Sequence, residues 1–144
     1  MLTHPVLIEG ACHVDACGSI FFVNGFTFDG VERFYWVQSA EVGMQRGWVG
    51  HQREHKWFTV VAGEVKVAVV KLDDWQSPSA DLPVARYVLS ATRPQVLHVP
   101  AGHATGSINL TADAILMVFS SGTIADATND DFRFPVSQWP LETI

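Results

Sequence analysis

A chain of 144 residues is long enough to bury one substantial hydrophobic core and too short for two ordinary ones. Hydrophobic residues make up 48% and charged residues 17%, which excludes a disordered or collagen-like chain. Nine Lys and Arg stand against fifteen Asp and Glu, a net charge of −6, so no nucleic-acid partner is expected, because phosphates demand an excess of cations. Apolar runs such as 20–23 and 67–70 are far too short to span a bilayer. The first eleven residues carry no basic opening and meet Glu9 early. The expectation is a soluble, cytoplasmic protein with no membrane partner.

In chain order, short β-branched and aromatic runs recur at intervals of roughly ten residues, separated by Gly, Pro, Asn and Asp, as in an all-β sandwich or barrel. Strands are predicted over 19–23, 33–37, 44–49, 57–62, 64–71, 85–89, 95–99, 106–110 and 114–119. Gly63 marks a tight turn between two of them. Along 64–71 the pattern alternates around Lys66 and then becomes continuously apolar at 67–70, as for a strand covered on both faces. Breaks fall at Asn24-Gly25, at Asp29-Gly30 and over 73–83, with a long loop over 120–131. The tail Phe132-Arg133-Phe134-Pro135 and Trp139-Pro140 is too aromatic for a floppy end, and either the body of the protein or a neighbouring subunit would cover it. No repeat and no linker divides the chain, so one domain over 1–144 is expected.

Charge is unevenly spread: residues 33–71 hold six basic and three acidic residues, and the remainder three basic and twelve acidic. That cationic stretch suits one small anion, or is a solvated strand face. Cys12 and Cys17 are too few for a disulfide framework, and free thiols are expected.

The stretch richest in chemistry runs from Arg46-Gly47-Trp48-Val49-Gly50-His51 through His55-Lys56 to Gly63, and pairs with Val99-Pro100-Ala101-Gly102-His103-Ala104-Thr105 and Asn109. These segments resemble the two halves of the cupin signature, His-x-His…Glu…Gly and Pro-x-Gly-x-x-His…Asn. Gly63, Pro100, Gly102 and Asn109 keep the scaffold. Val49, Lys56 and Thr105 stand at three of the four ligand positions, and His51 alone is retained. One imidazole does not hold a metal. An alternative set would have to be built from His51, His55 and His103; the reading taken is no metal and no cofactor.

From residue 19 to 139 the chain more closely resembles the metal-free sugar-nucleotide cupins, the dTDP-4-dehydrorhamnose 3,5-epimerases and dTDP-4-oxo-6-deoxyhexose 3,4-ketoisomerases. Arg46, Gly47 and His51 match the family run Arg-Gly-x-His-x-(Gln/His), with Val49 in place of the first histidine, and 114–121 contain no tyrosine at the place of the epimerase acid. The ketoisomerase pattern is better kept, with His51 at the second histidine and Tyr35 on the preceding strand. The resemblance implies a double-sheet (jelly-roll) barrel, a homodimer, a nucleotide-sugar substrate and proton transfer beside a ketone.

In that chemistry His51 is the base and Tyr35 donates or relays the returning proton. Lys56 serves the developing oxyanion, Arg46 and Arg33 the diphosphate, and Trp48 and Trp57 offer flat walls. His103 lines the pocket, and Thr105 hydrogen-bonds ligand where a cupin histidine would stand. A plainer role is open for each: a satisfied buried imidazole for His51, wall for Tyr35, an ordinary strand threonine for Thr105. The rival function is a non-catalytic cupin that binds a sugar or sugar nucleotide.

Overall fold

The computed structural model describes residues 2–142. Twelve strands, β1 (Val6–Glu9), β2 (Ala11–Asp15), β3 (Gly18–Phe22), β4 (Arg33–Val37), β5 (Gln45–His51), β6 (Lys56–Ala62), β7 (Glu64–Lys71), β8 (Ala85–Ser90), β9 (Gln95–Val99), β10 (His103–Asn109), β11 (Ile115–Ser120) and β12 (Phe132–Phe134), are joined by one short helix, α1 (Ile124–Thr128), and a 3-10 turn at Val136–Gln138. They form two five-stranded antiparallel sheets, ordered β1-β9-β6-β11-β4 and β12-β5-β10-β7-β8, and a separate β2-β3 hairpin. This is the expected cupin-like double-sheet architecture, built as two sheets, each with two edge strands.

The patterning of β7 explains how the layers stack. Val65, Val67 and Val69 enter a core between the sheets with Phe58, Val60, Leu97, Val99, Leu116 and Val118. Ala68 and Val70, on the opposite face, join a second core with Trp48, Ala104, Ile108, Trp139 and Leu141. A strand with both faces covered reads as a continuous apolar run, and that is the physical meaning of 67–70. The second core also answers the question of the tail, which folds back over the outer face of its own second sheet. Trp139 is wholly buried and meets Trp48 edge-on at 5.2 Å between ring centroids. Its indole N–H donates to the Ser79 carbonyl at 2.9 Å, and Gln138 donates to Pro78, so the tail also pins the 73–83 loop.

Other boundaries differ from expectation. The segments forming β1 and β2 carry too little alternation to be read as strands, and β12 was legible only as a packed tail. Within the expected 120–131 loop lies α1, started by a capping box in which the Thr123 hydroxyl accepts the Asp126 N–H at 3.1 Å and the Asp126 carboxylate accepts the Thr123 N–H at 3.0 Å. Gly63 makes the β6–β7 turn at φ +66°, packed against Thr111 and Asp113, a conformation few side chains tolerate. Cys12 and Cys17 are free and exposed.

Candidate active site

Between the sheets, at one end of the first core, lies a cavity of about 330 Å³. Strand alternation decides which side chains face it. On β4, Arg33, Tyr35 and Val37 point in; on β5, Gly47, Val49 and His51; on β6, Lys56 and Phe58; on β10, Thr105 and Ser107. Arg46 joins them where the β5–β10 register shifts between Thr105 and Ser107. Ala127 of α1, Asp131 and Arg133 close the remaining side. Six of the residues singled out in the sequence, Arg33, Tyr35, Arg46, His51, Lys56 and Thr105, are thus brought to one cavity.

Two are not. Trp48 sits between Gly47 and Val49 on β5, so alternation turns it to the opposite face, where it is buried and donates its indole N–H to the Trp139 carbonyl at 3.2 Å. It is core, not a wall of the cavity. His103 pairs with His51 in the β5–β10 register but lies beyond the cavity's end. There it borders a separate hollow with His4, Val69, Lys71 and Val84, and its Nδ1 faces the Pro100 and Ala101 carbonyls at 3.0 and 3.2 Å. Trp57, between inward Lys56 and Phe58, faces outward and stacks on His98 at 4.6 Å. His98 in turn meets Nδ1 of His55 at 3.1 Å, and burial, then the His55 charge, pushes the His98 imidazole down to about 4. His51, His55 and His103 therefore do not converge. Among the described residues no group of three or more His, Cys, Asp or Glu is placed to hold a metal.

His51 is the chemical centre. It is 6% exposed, its Nδ1 lies 2.5 Å from the Asp130 backbone carbonyl, and its Nε2 is buried without a hydrogen-bond partner among the described residues. A carbonyl only accepts, so Nδ1 carries the proton and Nε2 holds a free lone pair. Burial, reinforced by the Lys56 ammonium, pushes the imidazole below its ordinary value, against the Asp130 carbonyl and the Glu54 and Asp130 carboxylates. That shift favours the neutral ring, the form a base requires.

The support behind it comes from residues whose partners are remote in sequence. Asp130 accepts the backbone N–H groups of Gln52, Arg53 and Glu54 at 2.7, 2.9 and 2.9 Å, fixing the β5–β6 turn while its carbonyl holds His51. Glu54, 5% exposed, accepts the Ser120 hydroxyl at 2.5 Å, and its other oxygen lies 3.2 Å from Nδ1 of His51. Lys56 donates to the Tyr35 hydroxyl at 3.1 Å. The Arg33 guanidinium lies 5.0 Å over the Tyr35 ring, donates to the Gly122 carbonyl at 3.1 Å and approaches Glu54 at 3.4 Å. Arg33 is therefore committed in part to structure, whereas Arg133 on the rim is paired, among the described residues, with Asp131. Glu54 and Asp130 escaped the sequence reading; the one signal was Glu54 three residues after His51.

No protein-family model and no curated protein sequence matches the chain. Solved structures do. A double mutant of the 3,4-ketoisomerase QdtA from Thermoanaerobacterium thermosaccharolyticum, in complex with TDP, superposes with a TM-score of 0.72 at 20% identity, over 93% of this chain and 90% of that one. An rmlC epimerase from Mycobacterium tuberculosis gives 0.72 at 22% identity, over 90% and 68%. The TDP-quinovose 3,4-ketoisomerase WlaRB from Campylobacter jejuni gives 0.67 at 15%, over 91% and 94%. The chain therefore has the double-sheet fold shared by 3,4-ketoisomerases and epimerases of this kind.

Proposed function

We propose that the chain, as one domain over 1–144, is a sugar-nucleotide isomerase that moves the ketone of a dTDP-4-oxo-6-deoxyhexose from C4 to C3. The observation that carries this reading is the buried Nε2 of His51, without a hydrogen-bond partner among the described residues, on a side chain that lines a cavity shared with several cations. Proton abstraction next to a ketone needs a neutral base of that kind and donors for the oxygen that becomes negative. Nε2 takes the C3 proton, the C–H electron pair forms a C3–C4 double bond, and charge collects on O4. The Lys56–Tyr35 pair serves that oxyanion, and Tyr35 donates or relays the proton that returns to C4. The O3 hydroxyl proton passes to O4, leaving the ketone on C3 and a hydroxyl on C4, and the proton that His51 removed from C3 replaces the one Tyr35 gave to C4, so the sum is an isomerisation with no other reactant.

Arg46 and Arg133, with the remaining donors of Arg33, serve the diphosphate, and Thr105 lies within the same wall. Val49 fills the place of an epimerase base with an apolar side chain, which favours C3 over C5 chemistry. The solved relatives support the substrate class, since one ketoisomerase of the same fold was captured with TDP-4-keto-6-deoxyglucose.

The working unit is a homodimer of the cytoplasm. Supporting this, the outer face of the first sheet exposes Phe34 and Trp36, and Phe28 beside them is 67% exposed; contiguous aromatics of this size mark association surfaces. Incubation with dTDP-4-oxo-6-deoxyglucose, followed by proton NMR, tests the activity. The expected product is the 3-oxo isomer. Shifts of bound ligand with no product after prolonged incubation would instead support a binding protein.

A further inference from the structure

The sequence brings a carboxylate to the back of His51 and then encloses it. The Glu54 N–H is held by Asp130. One carboxylate oxygen is fixed by Ser120, whose hydroxyl also accepts the Gly122 N–H at 3.0 Å. A Cβ at position 122 would stand 2.5 Å from that oxygen, so the glycine leaves room for it. The second oxygen has no hydrogen bond among the described residues, yet lies 3.2 Å from Nδ1 of His51 and 4.0 Å from the Lys56 ammonium. Satisfying a buried carboxylate usually consumes both oxygens. Here one is left directed at the charge that appears only when His51 takes a proton.

We propose that Glu54 is a positioning residue that acts through His51, its buried carboxylate offsetting the positive charge the imidazole acquires beside Lys56 and Arg33. This rests on the reading of His51 as the base. The balance of charges makes the need plain. From β6 the imidazole faces the Lys56 ammonium, from β4 Arg33 and Tyr35, and from the segment after α1 the Asp130 carboxylate and carbonyl, with Arg46, Asp131 and Arg133 across the cavity. The Asp130 carboxylate is already engaged by three backbone donors. Glu54 is thus the carboxylate with an oxygen to spare, and a fixed charge at this range costs no reorganisation when the proton moves. Consistent with this, Glu54 raises the His51 imidazole while burial and Lys56 lower it.

Glu54→Gln keeps the shape and removes the charge. The expected result is a fall of about one unit in the His51 imidazole pKa, read by carbon-edited NMR on the free protein. The acid limb of kcat/KM moves by the same amount, and kcat falls about ten-fold or more with KM little changed. Glu54→Asp, with the charge withdrawn by one methylene, gives a smaller shift in the same direction, and serves if the glutamine variant does not fold. A merely structural Glu54 would lower the melting temperature but leave the imidazole pKa in place, and that result overturns the proposal. If the wild-type chain turned over no 4-oxo sugar, the proposed activity would fail, while the titration would still decide whether Glu54 acts on His51.

Discussion

Replacing His51 with Gln lowers turnover of the 4-oxo sugar by roughly two to four orders of magnitude, the span a positioned general base supplies, while dTDP binding changes only a few-fold. The asymmetry follows from the site. Glutamine keeps a donor for the Asp130 carbonyl that now faces Nδ1, so the β5–β6 turn survives, and the cations that would hold the diphosphate sit elsewhere on the wall. What disappears is the lone pair at Nε2, which no neighbouring group replaces: Tyr35 is engaged by Lys56 and Val49 is apolar. Single-turnover kinetics with a calorimetric measurement of dTDP affinity checks this. Equal losses in binding and turnover would assign His51 to substrate binding instead.

The second large effect concerns stability. Trp139→Ala destabilises the protein by about 3–5 kcal/mol, the usual cost of deleting a buried aromatic, with a fall in melting temperature of roughly 10 °C or more. Trp139 is wholly buried, packs edge-on against Trp48 and against Phe134 at 5.6 Å, and satisfies the Ser79 carbonyl. Its loss opens the second core and frees the 73–83 loop together. Trp139→Phe keeps part of the ring and costs less. Thermal melts of the three proteins check the order; an alanine variant within about 0.5 kcal/mol of wild type would mean the tail contributes little to the fold.

The same contacts show what could be read beforehand. The doubly covered strand at 67–70 was legible because its periodicity is a direct imprint of two cores, and the Gly63 turn because a positive φ favours glycine. The cavity face of β5 was legible in part: alternation places Val49 with His51, and the same rule assigns Trp48 to the other side, a consequence obscured by its closeness to His51 in sequence. His103 shares a face with Thr105 by the same rule, yet the depth of the cavity along β10 excludes it, and depth leaves no mark on periodicity. Glu54 and Asp130 were out of reach for another reason. Their partners lie up to 79 residues away, and nothing in a local pattern announces that Asp130 would close the turn after His51. Chemistry carried by one strand can be read from its sequence, whereas chemistry assembled by a turn and a distant loop requires the fold.

The central claim is that His51 removes a proton from carbon next to the ketone. Incubation of dTDP-4-oxo-6-deoxyglucose with the protein in deuterated water, followed by proton NMR, tests it most directly. The account predicts loss of the C3 proton signal with appearance of a 3-oxo product, both abolished in the His51→Gln variant. Bound substrate whose C3 proton persists unexchanged, or exchange that survives unchanged in that variant, would contradict it.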